Sequence, residues 1–495
     1  MRKFIILALA AALVGGVAYA NFCARDNVPA STLLVPYVVV TLGADGTPDP
    51  NGYTTLLGVT NVSSAAQIIH ITIWTARSST VVDFDEVLTG YDVWTINFRD
   101  LVNGRFDIFD TGVNPADHSK AQPWGFWDDG SETPGAVELG KAPLPWGPTS
   151  NSYTLTLPQP QDIDYATFPY LTGCPNPPYG NLSNLSGTII SKLKGGIKAI
   201  PSGYVYCKGA TTTVGEPPWV ANLTTNPLFF YATVDVVNLC STVFPNQGAY
   251  WTGGVPKSAN VLVGDIFYVN TFSNFSESIP AVAVESGGIV STALGTGSGN
   301  FYGRYTAARG VDDREPLATA FAFRYLNSGG LSSEIRFWKN RSEVDYADPT
   351  VGDGRYATLA IDTYIAYACD PFLYYAWDEN ENLRTRGGGP SGFATNEPNP
   401  LPFETQSAPL TSSNFSGLLD TNGWMLLVLD TSVFSNNPPY GFGTGQFGQY
   451  PMGWVGIKYN FGTYSTMTEA AVVGSAMCFP TQVLPQLGIG LLQTP

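Results

Sequence analysis

Glycine and proline interrupt this chain so often that long helices have little room. The 495 residues include 53 Gly and 37 Pro, and both residue types disfavour helix interiors. Between the interruptions lie short alternating segments, the clearest being Gln67 to Trp74, where Ile69, Ile71 and Ile73 occupy every second position. A period of two is what a β-strand with two different faces requires. The sequence therefore predicts an all-β fold.

Similar strand patterns recur along the chain, and the clearest helix signal, Phe98–Val102, is short. Short strands separated by turn residues are typical of β-sandwiches of the Ig-like or Greek-key kind. We predict two β-sandwich modules, residues 21–300 and 301–495, the first carrying a long Pro/Gly/Trp-rich loop insertion at about 111–230. The other predicted strands are Val81–Phe84, Trp94–Phe98, Thr233–Asn238, Val261–Asn270, Ala281–Glu285, Thr319–Tyr325, Glu334–Trp338, Thr358–Tyr367, Trp424–Asp430 and Trp454–Tyr459.

Two segments share one pattern and support this division into two modules. Thr55–Trp74 and Thr319–Trp338 each begin with a Thr that lies 19 residues before a Trp, with an Asn/Ser/Gly turn between two strand-like stretches. We interpret the pattern as one β-hairpin that occurs once in each half of the chain.

The first 20 residues have the order of a cleavable secretory signal. A basic start at Arg2 and Lys3 precedes an apolar run, and Ala18 and Ala20 provide the small residues that a signal peptidase recognises. The longest later apolar run, Leu33–Leu42, is interrupted by Pro36 and is too short to cross a bilayer as a helix. We predict a secreted protein of the periplasm, cell surface or medium, without an integral membrane span after cleavage.

In an exported protein, the cysteines are expected to form disulfide bonds. The six residues form an even set in a disulfide-permissive compartment, so we expect up to three bridges, with the pairing left open. They are Cys23, Cys174, Cys207, Cys240, Cys369 and Cys478.

The charge balance bears on partners. There are 40 Asp and Glu against 24 Lys and Arg, a formal charge of −16, which repels nucleic acid phosphates and anionic lipid. We therefore expect no nucleic acid partner. A surface with few charges and many neutral polar and aromatic residues suits a polysaccharide or self-association.

Catalytic signatures are weak. The two histidines, His70 and His118, come without a Gly-x-Ser-x-Gly motif, which argues against a Ser-His-Asp hydrolase. A glycoside hydrolase needs only two carboxylates across a sugar, and several acids follow aromatic residues. These acids are Asp128, Asp129, Asp378, Glu379 and Glu404. Because no motif selects a pair among them, solvated loop acids are the competing interpretation.

Dense aromatics in the loop insertion provide the main binding hypothesis. Trp124, Phe126, Trp127 and Trp146 could form a platform on which sugar rings stack. The competing interpretation is a loop that folds over the sandwich with these rings inside.

Calcium is the ion that the sequence favours. Asp45, Asp49 and Asn51 lie in one short loop, and oxygen ligands from loops suit Ca²⁺. The same residues also form ordinary turns. Asp312-Asp313 and Asp420-Thr421-Asn422 are similar candidates.

The strand-like segment Ser31–Leu42 follows the mature terminus closely. It could insert into a neighbouring subunit and build a fibre by strand addition, or it could pair within its own sandwich.

Several segments resemble a group of uncharacterised exported bacterial β-rich proteins. The segments are Leu33–Tyr37, Thr54–Asn61, Thr89–Asn97, Val236–Pro245 and Arg314–Thr319. The resemblance implies export and one continuous family unit, and it implies no activity. Our leading hypothesis is therefore a secreted or cell-surface protein with a structural or binding role. The alternatives are a carbohydrate-binding or carbohydrate-cleaving protein and a fibre subunit.

Overall fold

The computed structural model describes residues 28–103, 182–197, 226–287, 300–306, 312–340, 373–384, 401–429 and 452–475, apart from 240, 242, 274, 402, 416 and 463. Antiparallel strands dominate these ranges, which confirms the predicted all-β sandwich class. Within them, no helix has the length and apolar character to cross a membrane.

The first strand set, β1–β9, forms two antiparallel sheets. A five-stranded sheet has the order β4-β3-β6-β1-β9, and a four-stranded sheet has the order β5-β2-β7-β8. The strands are β1 Thr32–Val40, β2 Tyr53–Asn61, β3 Gln67–Thr75, β4 Thr80–Leu88, β5 Val93–Asn97, β6 Leu228–Val237, β7 Leu262–Asn270, β8 Phe275–Pro280 and β9 Val282–Val284.

The inner face of β3 forms part of the core of this first set. Ile69, Ile71 and Ile73 are fully buried in one apolar cluster with Leu57 of β2 and Ile266 of β7. The cluster therefore joins the two sheets, as the alternation of β3 predicts. The opposite face of β3 is also buried, because a second layer covers it.

The second strand set, β10–β18, has the order β13-β12-β15-β10-β16-β11-β14, with β17 on β16 and β18 on β10. A single residue pair, Ala318 with Gly453, joins β10 to β16, so the set divides there into two groups around a shared core. The strands are β10 Ala318–Leu326, β11 Leu331–Lys339, β12 Leu373–Asp378, β13 Leu383–Arg384, β14 Thr405–Pro409, β15 Asn422–Val428, β16 Gly453–Phe461, β17 Tyr464–Glu469 and β18 Ala471–Ser475.

Helices are few, and one was missed. The predicted helix Phe98–Val102 is present as α1. A longer helix, α2 at Leu182–Ile197, lies inside the segment that we predicted as loop, so that prediction is wrong here. Ile189, Leu193 and Ile197 are buried at the four-residue spacing of a helix face. Two short helices follow, α3 at Gly248–Thr252 and α4 at Gly303–Thr306.

The repeated pattern does not form a hairpin in either half, so that interpretation is wrong. In the first copy β2 pairs with β5 and β7, whereas β3 pairs with β4 and β6 in the other sheet. In the second copy β10 and β11 lie on either side of β16. The shared turn therefore carries the chain from one sheet to the other in the first copy and across β16 in the second copy.

The segment proposed for strand addition lies inside its own sheet. β1 pairs with β6 on one side and β9 on the other, and all nine of its residues are buried. β6 therefore occupies one hydrogen-bonding edge of β1, and β9 occupies the other edge at Thr32–Leu34. The predicted strand Thr358–Tyr367 lies outside the described residues.

Candidate functional site

A row of polar residues crosses the five-stranded sheet on the face away from the inter-sheet core. The strand register places Thr32 beside Asp235, Asp235 beside His70, and His70 beside Asp85. All four side chains are buried. His70 and Asp85 lie on consecutive strands, whereas Thr32 and Asp235 come from strands distant in sequence, and the sheet register brings them together.

His70 lies between two carboxylates. Its Nδ1 is 2.7 Å from Oδ1 of Asp85, and its Nε2 is 3.7 Å from Oδ2 of Asp83. Burial lowers the pKa of His70, but Asp85 and Asp83 outweigh burial and raise it to about 9. Burial also raises the pKa of Asp83 to about 7. The imidazole is therefore protonated at neutral pH, so it cannot accept a proton as a general base.

Arg314 anchors the other end of the row. Its guanidinium lies 3.5 Å from carboxylate oxygens of both Asp235 and Asp312, and its Nε donates to the hydroxyl of Thr32. Tyr250 and Tyr302 each donate a hydroxyl hydrogen bond of 3.0 Å to Oδ2 of Asp235. Burial raises the pKa of both tyrosines, so they remain neutral donors.

Aromatic rings cover this polar row. Trp74 lies between Tyr231 and Tyr305, with ring centroids 5.7 and 5.9 Å away and planes within 2° and 8° of parallel. Its Nε1 donates to the Thr233 hydroxyl. A small cavity of about 10 Å³ lies among the rings, room for one water molecule. Its lining is Trp74, Tyr231, Thr233, Phe301, Tyr302, Tyr305, Trp338 and Asn340.

The arrangement holds layers together and leaves little space for a substrate. Arg314 lies within 5.7 Å of the Trp251 ring centroid, and the Tyr250 ring centroid is 5.6 Å from that of His70. The aromatic rings of α3 and the guanidinium of Arg314, in the segment before β10, therefore pack directly on the sheet. His70 is noticeable in the sequence. Its partners are not, because their only signal is that Asp and Thr residues occur inside strands.

The loop proposed for calcium forms turns through its own oxygens. Oδ1 of Asp45 accepts hydrogen bonds from the Thr47 backbone (3.0 Å) and hydroxyl (2.8 Å), and these bonds lower the pKa of Asp45. Oδ1 of Asp49 accepts from the Asn51 backbone. Across the described ranges, no group of three or more His, Cys, Asp or Glu side chains is arranged to hold a metal ion.

Other proposed site residues fall outside the described residues. They are Trp124, Phe126, Trp127, Trp146, His118, Asp128, Asp129 and the six cysteines, Cys23, Cys174, Cys207, Cys240, Cys369 and Cys478.

The three remaining aromatic-flanked acids have separate surroundings. Glu404 is fully buried, where the Tyr231 hydroxyl is 3.5 Å from its Oε1. Asp378 accepts from the backbone of Asn380 and Asn382. Glu379 pairs with Arg324 at 2.7 Å on the surface.

The fold and this site define an antiparallel β-sandwich protein with a buried ionic and aromatic network on one sheet face. No protein-family model matches the chain, and no curated protein or solved structure matches it either.

Proposed function

We propose that the chain is an exported β-sandwich protein with a structural or binding role at the cell surface, and that it does not catalyse a reaction. The main support is that buried charged side chains connect one strand set to the other. Stiffness of this kind suits a scaffold or a binding protein.

A buried ion pair forms the centre of this connection. Nη1 of Arg336 on β11 lies 2.8 Å from Oε1 of Glu277 on β8, and both side chains are 4% exposed. The guanidinium also lies over the ring of Tyr268, 4.2 Å from its centroid. A buried ion pair of this kind fixes geometry more than it adds stability.

Further contacts nearby also connect the two strand sets. The backbone N–H of Glu404 donates to the Ala76 carbonyl at 3.0 Å, and the Thr405 hydroxyl donates to the Pro36 carbonyl. Arg77 lies 4.4 Å from the ring centroid of Phe403. The two strand sets therefore share backbone and side-chain contacts.

The one histidine in the described ranges supports a non-enzymatic role. His70 is fully buried, and carboxylates face both of its ring nitrogens. Acid–base catalysis would need substrate access to this buried ring, and a general base would also need a neutral imidazole.

Export is tested by the mature N-terminus. The full chain, expressed in a bacterial host, is expected to be found outside the cytoplasm with an N-terminus after Ala20, as read by intact mass and N-terminal sequencing. Cytoplasmic protein that retains residues 1–20 would contradict export.

The non-enzymatic part is tested with the purified protein and a His70→Gln variant. Chromogenic ester, peptide and glycoside substrates are expected to be hydrolysed no faster by the wild-type protein than by the variant. Turnover that disappears with His70→Gln would overturn the proposal.

A further inference from the structure

One face of the second strand set carries a line of three large side chains. The register places Trp377 of β12 directly opposite Trp424 of β15, and Trp424 directly opposite Arg324 of β10. Directly opposed residues on neighbouring strands lie on the same face of a sheet. We name these three residues and Glu379, which pairs with Arg324, the Trp424 face.

Trp424 differs from the other described tryptophans in its exposure. Trp424 is 48% exposed, and Trp377 is half-buried. The others, Trp74, Trp94, Trp251, Trp338 and Trp454, are at most 5% exposed. An exposed indole beside a second tryptophan is costly unless something binds it.

Charged groups lie beside the ring and are balanced locally. The Arg324 guanidinium is 5.6 Å from the Trp424 ring centroid, and its Nη2 donates to Oε2 of Glu379 at 2.7 Å. The side chains of Arg324 and Glu379 are 43% and 42% exposed. The border of the face therefore offers both a donor and an acceptor to solvent while it stays neutral overall.

Neighbouring residues hold the face in place. Tyr375 is buried and stacks on Trp377, with centroids 6.1 Å apart. The Tyr459 hydroxyl donates to the Arg324 carbonyl at 2.7 Å. At Gly423 a Cβ atom would lie 2.0 Å from the Trp377 carbonyl oxygen, so the two tryptophan strands approach closely because this residue is glycine. A preorganised surface loses little entropy on binding.

This chemistry fits a neutral sugar polymer. A pyranose ring has an apolar C–H face that packs on an indole, and its hydroxyls both donate and accept hydrogen bonds. An apolar protein surface would instead bury the Arg324–Glu379 pair without replacing its water, and an anionic polymer would meet the overall charge of −16.

We propose that the Trp424 face binds a neutral polysaccharide, with a pyranose ring on Trp424 and hydroxyl groups bonded to Arg324 and Glu379. The assignment rests on the proposed binding role. The purified chain tests it separately, because neither its cellular location nor any catalytic activity enters the measurement.

The test measures binding of the purified mature chain to cellulose, chitin, xylan, mannan, starch and β-1,3-glucan by pull-down, followed by calorimetry with soluble oligosaccharides. We expect at least one neutral glycan to bind, and Trp424→Ala to weaken that binding by about tenfold or more, equivalent to about 1.4 kcal/mol. Trp424→Tyr keeps a flat ring and should retain most of the affinity. Arg324→Met and Glu379→Gln should each weaken binding without abolishing it.

Phe267→Ala is the matched control. Phe267 is an aromatic residue of β7 in the first strand set and is 42% exposed, so its removal should leave glycan binding unchanged. Circular dichroism and the melting temperature establish that each variant is folded.

Three results would overturn the proposal. The first is no binding to any of these glycans. The second is equal loss of binding in Phe267→Ala and Trp424→Ala. The third is a self-associating wild-type protein that binds no glycan and becomes monomeric with Trp424→Ala in sedimentation velocity, which would identify the face as a contact between copies of the chain.

Discussion

Replacing Arg336 with Met should destabilise the protein far more than replacing a surface arginine that has an equally short ion pair. The guanidinium of Arg336 is the charged partner of Glu277, and both side chains are buried at 2.8 Å. Methionine fills a similar volume without charge, so the change leaves a buried carboxylate without its cation.

The size of the effect follows from burial. Removing one partner of a buried ion pair costs about 3–5 kcal/mol, and a desolvated cation–π contact contributes about 1–2 kcal/mol. The same guanidinium makes both interactions, so the two values overlap, and we expect a loss of about 4 kcal/mol in the free energy of unfolding. The double variant Arg336→Met, Glu277→Gln should recover most of this loss, because no unpaired charge remains.

The assay is urea unfolding followed by tryptophan fluorescence, with calorimetry of the same proteins. Arg324→Met is the control, since the Arg324–Glu379 pair is 2.7 Å long but exposed, and exposed pairs contribute about 0–1 kcal/mol. In calorimetry we expect one transition for the wild-type protein and a broader one for Arg336→Met, because the pair connects the two strand sets. Equal effects of Arg336→Met and Arg324→Met, or a double variant as unstable as the single one, would refute this reasoning.

Three further predictions concern stability. The pKa of His70 is raised from 6.5 to about 9, so the stabilisation that protonated His70 gives is complete below pH 6.5 and is lost as pH rises through 9. In urea unfolding the wild-type stability should therefore fall by about 3 kcal/mol over this range, and His70→Gln should remove that fall. An unchanged slope of stability against pH in the variant would contradict this prediction. Gly423→Ala should cost about 1–3 kcal/mol by forcing β15 away from the Trp377 carbonyl, whereas Gly58→Ala, whose Cβ meets nothing within 4 Å, should be nearly neutral in thermal unfolding. Trp74→Ala should cost about 3–5 kcal/mol, and a smaller loss in urea unfolding would show that its two stacked neighbours close the gap.

Strand positions could be predicted because the signal is local. The alternation of Gln67–Trp74 corresponds to β3, and Val261–Asn270 corresponds to β7 within one residue. The full pairing of those strands could not be predicted, since β3 also pairs with β6 and β7 also pairs with β2, and both of these partners are far away in sequence. The local pattern of the repeated segment therefore predicts a hairpin, although its strands have separate partners in each half.

The Trp424 face also could not be predicted from local sequence patterns. Trp377, Trp424 and Arg324 are widely separated in sequence, and each alone is an ordinary strand residue. The sugar platform at Trp124 and Trp127 is predicted from aromatics that are dense along the sequence. Aromatic residues on neighbouring strands can lie just as close together in space although they are far apart along the chain.

The sequence by itself determined that this chain is an all-β protein, because glycine, proline and a two-residue period act within a few residues of the backbone. The tertiary structure alone decided what the polar face of β3 does. His70 alternates with isoleucines as a solvent-facing residue would, yet α3 and the segment around Arg314 cover this face of the sheet, and Asp83 and Asp85 of the neighbouring strand face the imidazole. The physical reason is that burial and pKa depend on what packs over a strand, and this layer comes from residues more than 170 positions further along the chain.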